Sequence, residues 1–177
     1  MSVSLTWGTT PGERLLTYPC DRYVRDAQLD CYRGVTIEAA PHMVYRWLCQ
    51  MRVAPYSYDL IDNRRRRSPG NLITGLDRLA VGQSMMYIFR VVDFEQGRQV
   101  TLKMRHGSDA ARIFGEMALS YMIVPLGVSR CRLLVKLTCE RRSGLVGWLM
   151  RLLLPWGDLV MMRKQLLNFK RLAEESE

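Results

Sequence analysis

The chain has 177 residues, 48% of them apolar, enough for one domain with a substantial core and short for two. Its 26 Lys and Arg against 17 Asp and Glu give a formal charge of +9, which suits an anionic partner without choosing among phospholipid headgroups, nucleic acid and an acidic ligand. Cys20, Cys31, Cys49, Cys131 and Cys139 form no CxxC pair, and His42 and His106 stand far apart, which argues against a disulfide scaffold and a zinc site and predicts reduced, buried thiols.

The start, MSVSLTWGTTPGERLL, has neither the basic beginning nor the apolar core of a signal peptide, so a cytoplasmic location is expected. Residues 1–29 read as an irregular arm with a short edge strand around RYVRDA, ahead of a domain over 30–177. Val35 and Ile37 alternate with Thr36 and Glu38, which predicts a strand. Pro41 then suits the first turn of a helix, where its missing N–H costs nothing. Val44, Trp47, Leu48 and Met51 share one face of that helix, and Pro55 ends it by restricting the residue before it.

YSYDLIDN, from Tyr56 to Asn63, reads as a second short helical turn, with Asp59 and Asn63 on one face. Two readings stay open. Ser57 or Asp59 caps the turn and fixes the corner, or Asp59 works as a general acid or base beside Tyr56 or Tyr58. Arg64, Arg65, Arg66 and Arg67, followed by SPG, form an exposed loop, either solvated or docked on phosphates.

Around MYIFRVVDF the apolar face is Met85, Tyr87, Phe89 and Val91; in RQVTLKMRH it is Val100, Leu102 and Met104, with Gln96 and Gly97 turning between the two strands. GEMALSYMIVPLG places Met117, Leu119, Tyr121 and Ile123 on one side, and SRCRLLVKLTCE sends Cys131, Leu133, Val135, Leu137 and Cys139 inward. The expected product is an antiparallel sheet with one wet and one apolar face, in which Arg90 and Glu116 occupy solvated positions.

The apolar run from Gly144 to Met162 is interrupted by Arg151, Pro155 and Asp158, too often for a membrane span of about 20 apolar residues. A terminal helix is expected from Pro155, with Asp158 near its positive end and Leu159, Met162, Leu166, Phe169 and Ala173 in one stripe. As the only element long enough to lie across the sheet, that helix must cover it.

Three stretches carry a resemblance: VTIEAAPHMVYRWLCQM, PYSYDLIDN and DLVMMRKQLLNFKRLAE. Over roughly residues 35–174 the chain resembles the START-like superfamily, the helix-grip proteins grouped as SRPBCC or polyketide cyclase and lipid-transfer proteins. The resemblance implies an α+β helix-grip fold: a curved antiparallel sheet wrapped around a long C-terminal helix, with two short helices after the first strand. It also implies an apolar cavity that in many members holds a lipid, sterol or polyketide. RVAPY replaces the glycine-containing link usual before the Tyr-Ser motif, and GWLMRLLLPWG is an unusual lead-in that plugs or enlarges the cavity mouth.

Residues expected around such a pocket are Trp47, Met51, Tyr58, Tyr87, Phe89, Met104, Met117, Tyr121, Leu133, Val135, Met162, Leu166 and Phe169; the competing reading has them fill a solid core. No GxSxG elbow, Walker loop, dinucleotide glycine pattern or paired metal ligands occur, so no cofactor is expected. A noncatalytic binder or carrier of a hydrophobic molecule leads. A cyclase, dehydratase or isomerase using Asp59 or Tyr121 is the alternative. Trp148 and Trp156 flanking an apolar segment with Arg151 match lodging at an anionic membrane surface, against the simpler reading that this segment packs on protein. No aromatic stacking platform accompanies the arginine run, which argues against nucleic acid.

Overall fold

The computed structural model describes residues 2–58, 67–140 and 143–176. Six antiparallel strands form one sheet in the order β1-β6-β5-β4-β3-β2: β1 (Ala27–Ile37), β2 (Ser84–Met85), β3 (Phe89–Glu95), β4 (Gln99–Met104), β5 (Met117–Pro125) and β6 (Cys131–Glu140). Register shifts between Ala27 and Leu29 and between Val91 and Asp93 introduce the local bends of bulges. The helices are α1 (Val3–Thr6), α2 (Pro11–Arg14), α3 (Pro41–Cys49), α4 (Asp109–Phe114) and α5 (Gly144–Glu174). This is the α+β helix-grip arrangement, with α5 lying across the curved sheet.

The alternating strands form as expected, with Val100, Leu102, Leu119, Tyr121, Ile123, Leu133, Val135 and Leu137 all buried on the inner face. α3 starts with Pro41 at its first turn, and its apolar stripe joins the same core. All five cysteines are buried and outside any disulfide. Burial pushes the Cys20 thiol up to about 11 and those of Cys31 and Cys49 up to about 12, which leaves them protonated and unreactive.

Four expectations are corrected. RYVRDA forms no separate edge strand: a 3-10 turn occupies Pro19–Arg22, and β1 itself begins at Ala27. MYIFRVVDF is not one strand either. Met86 and Tyr87 take positive φ angles of 47° and 62°, folding the segment into the β2–β3 hairpin and leaving Tyr87 at its tip.

The outer face of the sheet is not uniformly wet. Tyr18, Cys20 and Val24 of the arm pack on Ala118 and Leu134, and the Cys20 N–H donates to Ser120 Oγ at 2.8 Å. Lys136, on that face, reaches Asp21 at 2.6 Å and Asp30 at 3.1 Å. Burial alone would lower its pKa, but the two carboxylates outweigh it and push it up. The arm crosses β1 where Gly8 meets Gly34; a Cβ on Gly8 would stand 2.0 Å from the Gly34 oxygen, so this crossing requires glycine.

The fourth correction concerns α5. It begins at Gly144, not Pro155, and carries Pro155 in its interior. The inward stripe runs through the proline, because Gly147, Met150, Leu154, Asp158, Met161, Met162 and Gln165 follow helical spacing and line the space beneath the sheet. That continuous packing outweighs the hydrogen bond the proline removes from the carbonyl of Arg151. No helix is long and apolar enough among the described residues to cross a membrane.

Candidate functional site: a cavity between sheet and helix

The C-terminal part of α5 closes tightly on the protein. Leu166, Phe169, Leu172 and Ala173 are buried, and Tyr56 lies between Trp47 and Phe169, with ring centroids 5.9 and 5.5 Å away. Tyr56 adopts a φ of 58°, and Asn168 Nδ2 donates to its carbonyl oxygen at 2.8 Å. The corner after α3 is therefore locked onto α5 through a tyrosine ring and a backbone bond.

Toward its N-terminal half, α5 stands off the sheet and leaves a cavity of about 780 Å³. Its walls come from β3 (Phe89), β5 (Met117, Leu119, Tyr121), β6 (Leu137), α4 (Ile113, Phe114), the segments around Pro55 and Met86, and α5 itself. Five methionines contribute, Met86, Met117, Met150, Met161 and Met162, giving a wall that reshapes at low cost. Ile88, Ile113, Leu149 and Leu153 line the cavity and are also solvent-exposed, which places the mouth between the hairpin tip, α4 and α5. A separate recess beside Gln28 and Leu29, sharing Met150 and Leu154 with the cavity wall, has about 10 Å³, at most one water.

Among the described residues, four polar side chains interrupt this lining: Ser57, Tyr121, Asp158 and Gln165. The Tyr121 hydroxyl donates to Gln165 Oε1 at 2.7 Å, while Gln165 Nε2 donates to the Pro55 carbonyl at 2.5 Å and meets Met86 Sδ at 3.3 Å. Burial pushes the Tyr121 phenol far up, and the negative Asp158 adds to it, so Tyr121 holds its proton.

Asp158 sits on the inward stripe of α5 and pairs with Arg33 Nη2 at 2.6 Å; their side chains are 9% and 1% exposed. Arg33 projects from the inner face of β1 and also donates to the carbonyls of Tyr32 (2.8 Å), Ser4 (2.7 Å) and Pro155 (3.2 Å). One guanidinium thus ties β1, the arm and the proline turn of α5 together. Burial raises the Asp158 carboxyl from 3.8 to about 6, against the opposing pull of Arg33. The result is a cavity-wall acid poised near neutrality.

Of the thirteen residues that the sequence places around a pocket, Phe89, Met117, Tyr121 and Met162 stand on this wall. Trp47, Met51, Met104, Leu133, Val135, Leu166 and Phe169 lie in the packed core, while Tyr58 and Tyr87 are exposed, 38% and 41%. Asp59 lies outside the described residues, as do Asn63, Arg64, Arg65 and Arg66; Arg67 is exposed. Glu116 pairs with Lys103 at 3.2 Å, and Arg90 is exposed, both away from the cavity.

Sequence reasoning missed Arg33, Asp158 and Gln165. A signal existed: Arg33 falls in phase with Cys31, Val35 and Ile37, and Asp158 lies one turn before Met162. Two opposite charges on two apolar faces point to a buried pair. Among the described residues, no cluster of three His, Cys, Asp or Glu would hold a metal.

No family model and no curated protein sequence matches this chain. Solved structures do. A START superfamily protein from Mycobacterium smegmatis aligns over 84% of this chain and 99% of its own, with a TM-score of 0.52 at 13% identity. A protein from Chromobacterium violaceum aligns over 82% and 96%, with a TM-score of 0.51 at 14% identity. The di-domain ARO/CYC BexL aligns over 83% of this chain and 47% of its own, with a TM-score of 0.50 at 11% identity. At these identities the likeness establishes the fold, which is START-like.

Proposed function

We propose that this START-like chain binds a hydrophobic small molecule or lipid between its sheet and α5, as a carrier or receptor and without chemistry of its own. The observation that carries this reading is the cavity of about 780 Å³, within the 300–1,000 Å³ typical of ligand sites and, among the described residues, apolar apart from four side chains. Native mass spectrometry of gently purified protein tests it. The expected result is a retained small molecule, or uptake from a mixed lipid extract; a folded protein that carries none and takes up none overturns the reading.

Loading from a membrane fits the same site. Leu145, Trp148, Leu149, Leu152, Leu153, Trp156 and Val160 leave much of their surface in solvent on the half of α5 that borders the mouth. Arg151, Arg163 and Lys164 are exposed along the same helix, supplying the positive charge that favours anionic headgroups. Co-sedimentation with phosphatidylserine-containing vesicles is expected and should fall in Trp148→Ala/Trp156→Ala. Binding indifferent to both tryptophans overturns this surface.

A second reading, an enzyme of the cyclase, dehydratase or isomerase kind, rests on Asp158, an acid near neutrality in a water-poor cavity beside a protonated Tyr121. In that reading Asp158 moves the proton and Tyr121 holds a substrate oxygen. Turnover of a polyketide-like substrate that survives Tyr121→Phe and Asp158→Asn unchanged overturns it.

A further inference from the structure

The cavity's hydrogen-bond inventory is lopsided. Tyr121 has one hydrogen to give, and Gln165 Oε1 takes it at 2.7 Å. Gln165 has two amide hydrogens; one goes to the Pro55 carbonyl and the other faces Met86 Sδ. The orientation of that amide follows from chemistry, since the Pro55 carbonyl only accepts, so the nitrogen must face it. The donors of both residues are therefore engaged within the protein.

Their acceptors are less used. The Tyr121 oxygen keeps its lone pairs, and Gln165 Oε1 has room for a second donor. Asp158 brings a carboxylate that, among the described residues, only the Arg33 guanidinium approaches with an N–H. Its Oδ2 is sealed against Arg33, and the part of the side chain that stays open belongs to the cavity wall. Arg33 does not line the cavity, and its terminal nitrogens are held by three backbone carbonyls and Asp158. A ligand anion entering the cavity meets the carboxylate, not the guanidinium.

We infer that the cavity selects an apolar molecule ending in a hydrogen-bond donor, a hydroxyl or a protonated amine, and discriminates against the same chain ending in a carboxylate. The inference rests on the carrier reading and names its ligand class. A donor end group gives Asp158, Tyr121 and Gln165 the hydrogen they lack. An ionised acid brings a second negative charge beside Asp158, where Tyr121 and Gln165 have no hydrogen to spare, and a buried acceptor left unpaired loses affinity.

The test uses the full chain and N-phenyl-1-naphthylamine, an uncharged fluorescent probe for apolar cavities, displaced at pH 8 by 1-decanol, decylamine or decanoate. These competitors share one alkyl chain and differ in the end group. Decanol and decylamine are expected to displace the probe at concentrations about tenfold or more below decanoate, the scale of one unmade buried hydrogen bond. Equal potency of decanol and decanoate overturns the inference while probe uptake leaves the cavity reading standing. A folded protein that binds no probe removes both.

Asp158→Asn replaces the carboxylate with a group that also donates, and is expected to bring decanoate to within about threefold of decanol, since the unmade bond is restored. Because that change leaves Arg33 buried without its counter-charge, Arg33→Met/Asp158→Asn serves as the neutral companion. Discrimination that persists in whichever variant folds overturns the assignment to Asp158. Should neither fold, the three-competitor comparison on the unaltered chain decides alone.

Discussion

The two halves of α5 face the same sheet and do opposite things. From Gln165 to Ala173 the helix is pressed into α3 and the corner around Tyr56, with Leu166 and Phe169 fully buried. From Gly144 to Met162 it is richer still in apolar side chains, yet many of these line an open cavity or face solvent. The more apolar segment is the less buried one, so what decides burial is whether another element lies within packing distance. One half therefore supplies cohesion and the other leaves its apolar surface available to a ligand.

The sharpest way to break this comparison is to truncate one residue in each half. Phe169→Ala removes a ring that touches Tyr56 in a filled core, and a loss of about 3–5 kcal/mol in unfolding free energy is expected. Chemical denaturation followed by circular dichroism reads it directly. A loss below about 1 kcal/mol would mean that the C-terminal half is as loosely seated as the other, contrary to large-to-small costs in packed sites.

Much of the packed half was legible in the sequence. The stripe Leu166, Phe169, Ala173 and the alternation of β4, β5 and β6 each name the face that turns inward, and those faces are buried. Periodicity does not say how far apart two inward faces stand. Leu133 and Met117 read alike, but Leu133 meets core while Met117 meets empty space. The hairpin at Met86 and Tyr87 was hidden because neither residue carries a turn signature. Pro155 misled because a proline that marks a helix start also fits within a helix held by surrounding packing.

Between the halves sits the pair of Arg33 and Asp158, and pH separates its contribution from that of a partly exposed pair. The folded-state pKa of Asp158, about 6, lies above its unfolded value of 3.8, so the folded chain takes up a proton first. Its cost is present in full above pH 6 and is relieved as pH falls toward 4, a gain on the order of 3 kcal/mol. Glu13, held by Arg132 at 2.7 Å, has a lowered pKa despite partial burial. Its stabilisation is present above the unfolded value of 4.5 and is lost as pH falls through its folded value. Stability should therefore rise from pH 7 to about 4.5, below which the loss at Glu13 opposes the remaining gain at Asp158. A titration of unfolding free energy that stays flat or falls from pH 7 to 5 contradicts the assignment of a raised carboxyl to Asp158.

The smallest expected change belongs to the mouth. Leu153→Ala removes a side chain that is half in solvent and touches the cavity rather than a packed neighbour, so stability should move by less than about 0.5 kcal/mol. Its effect should appear in access: with the rim opened, N-phenyl-1-naphthylamine should enter and leave faster in stopped-flow measurements while the denaturation midpoint stays near that of the unaltered chain. A midpoint shift comparable to that of Phe169→Ala would mean that Leu153 supports the fold and that the two halves of α5 are not divided between cohesion and access. Unchanged exchange rates together with unchanged stability would move the entrance elsewhere on the rim, toward Ile88 and Ile113, the exposed lining residues across from α5.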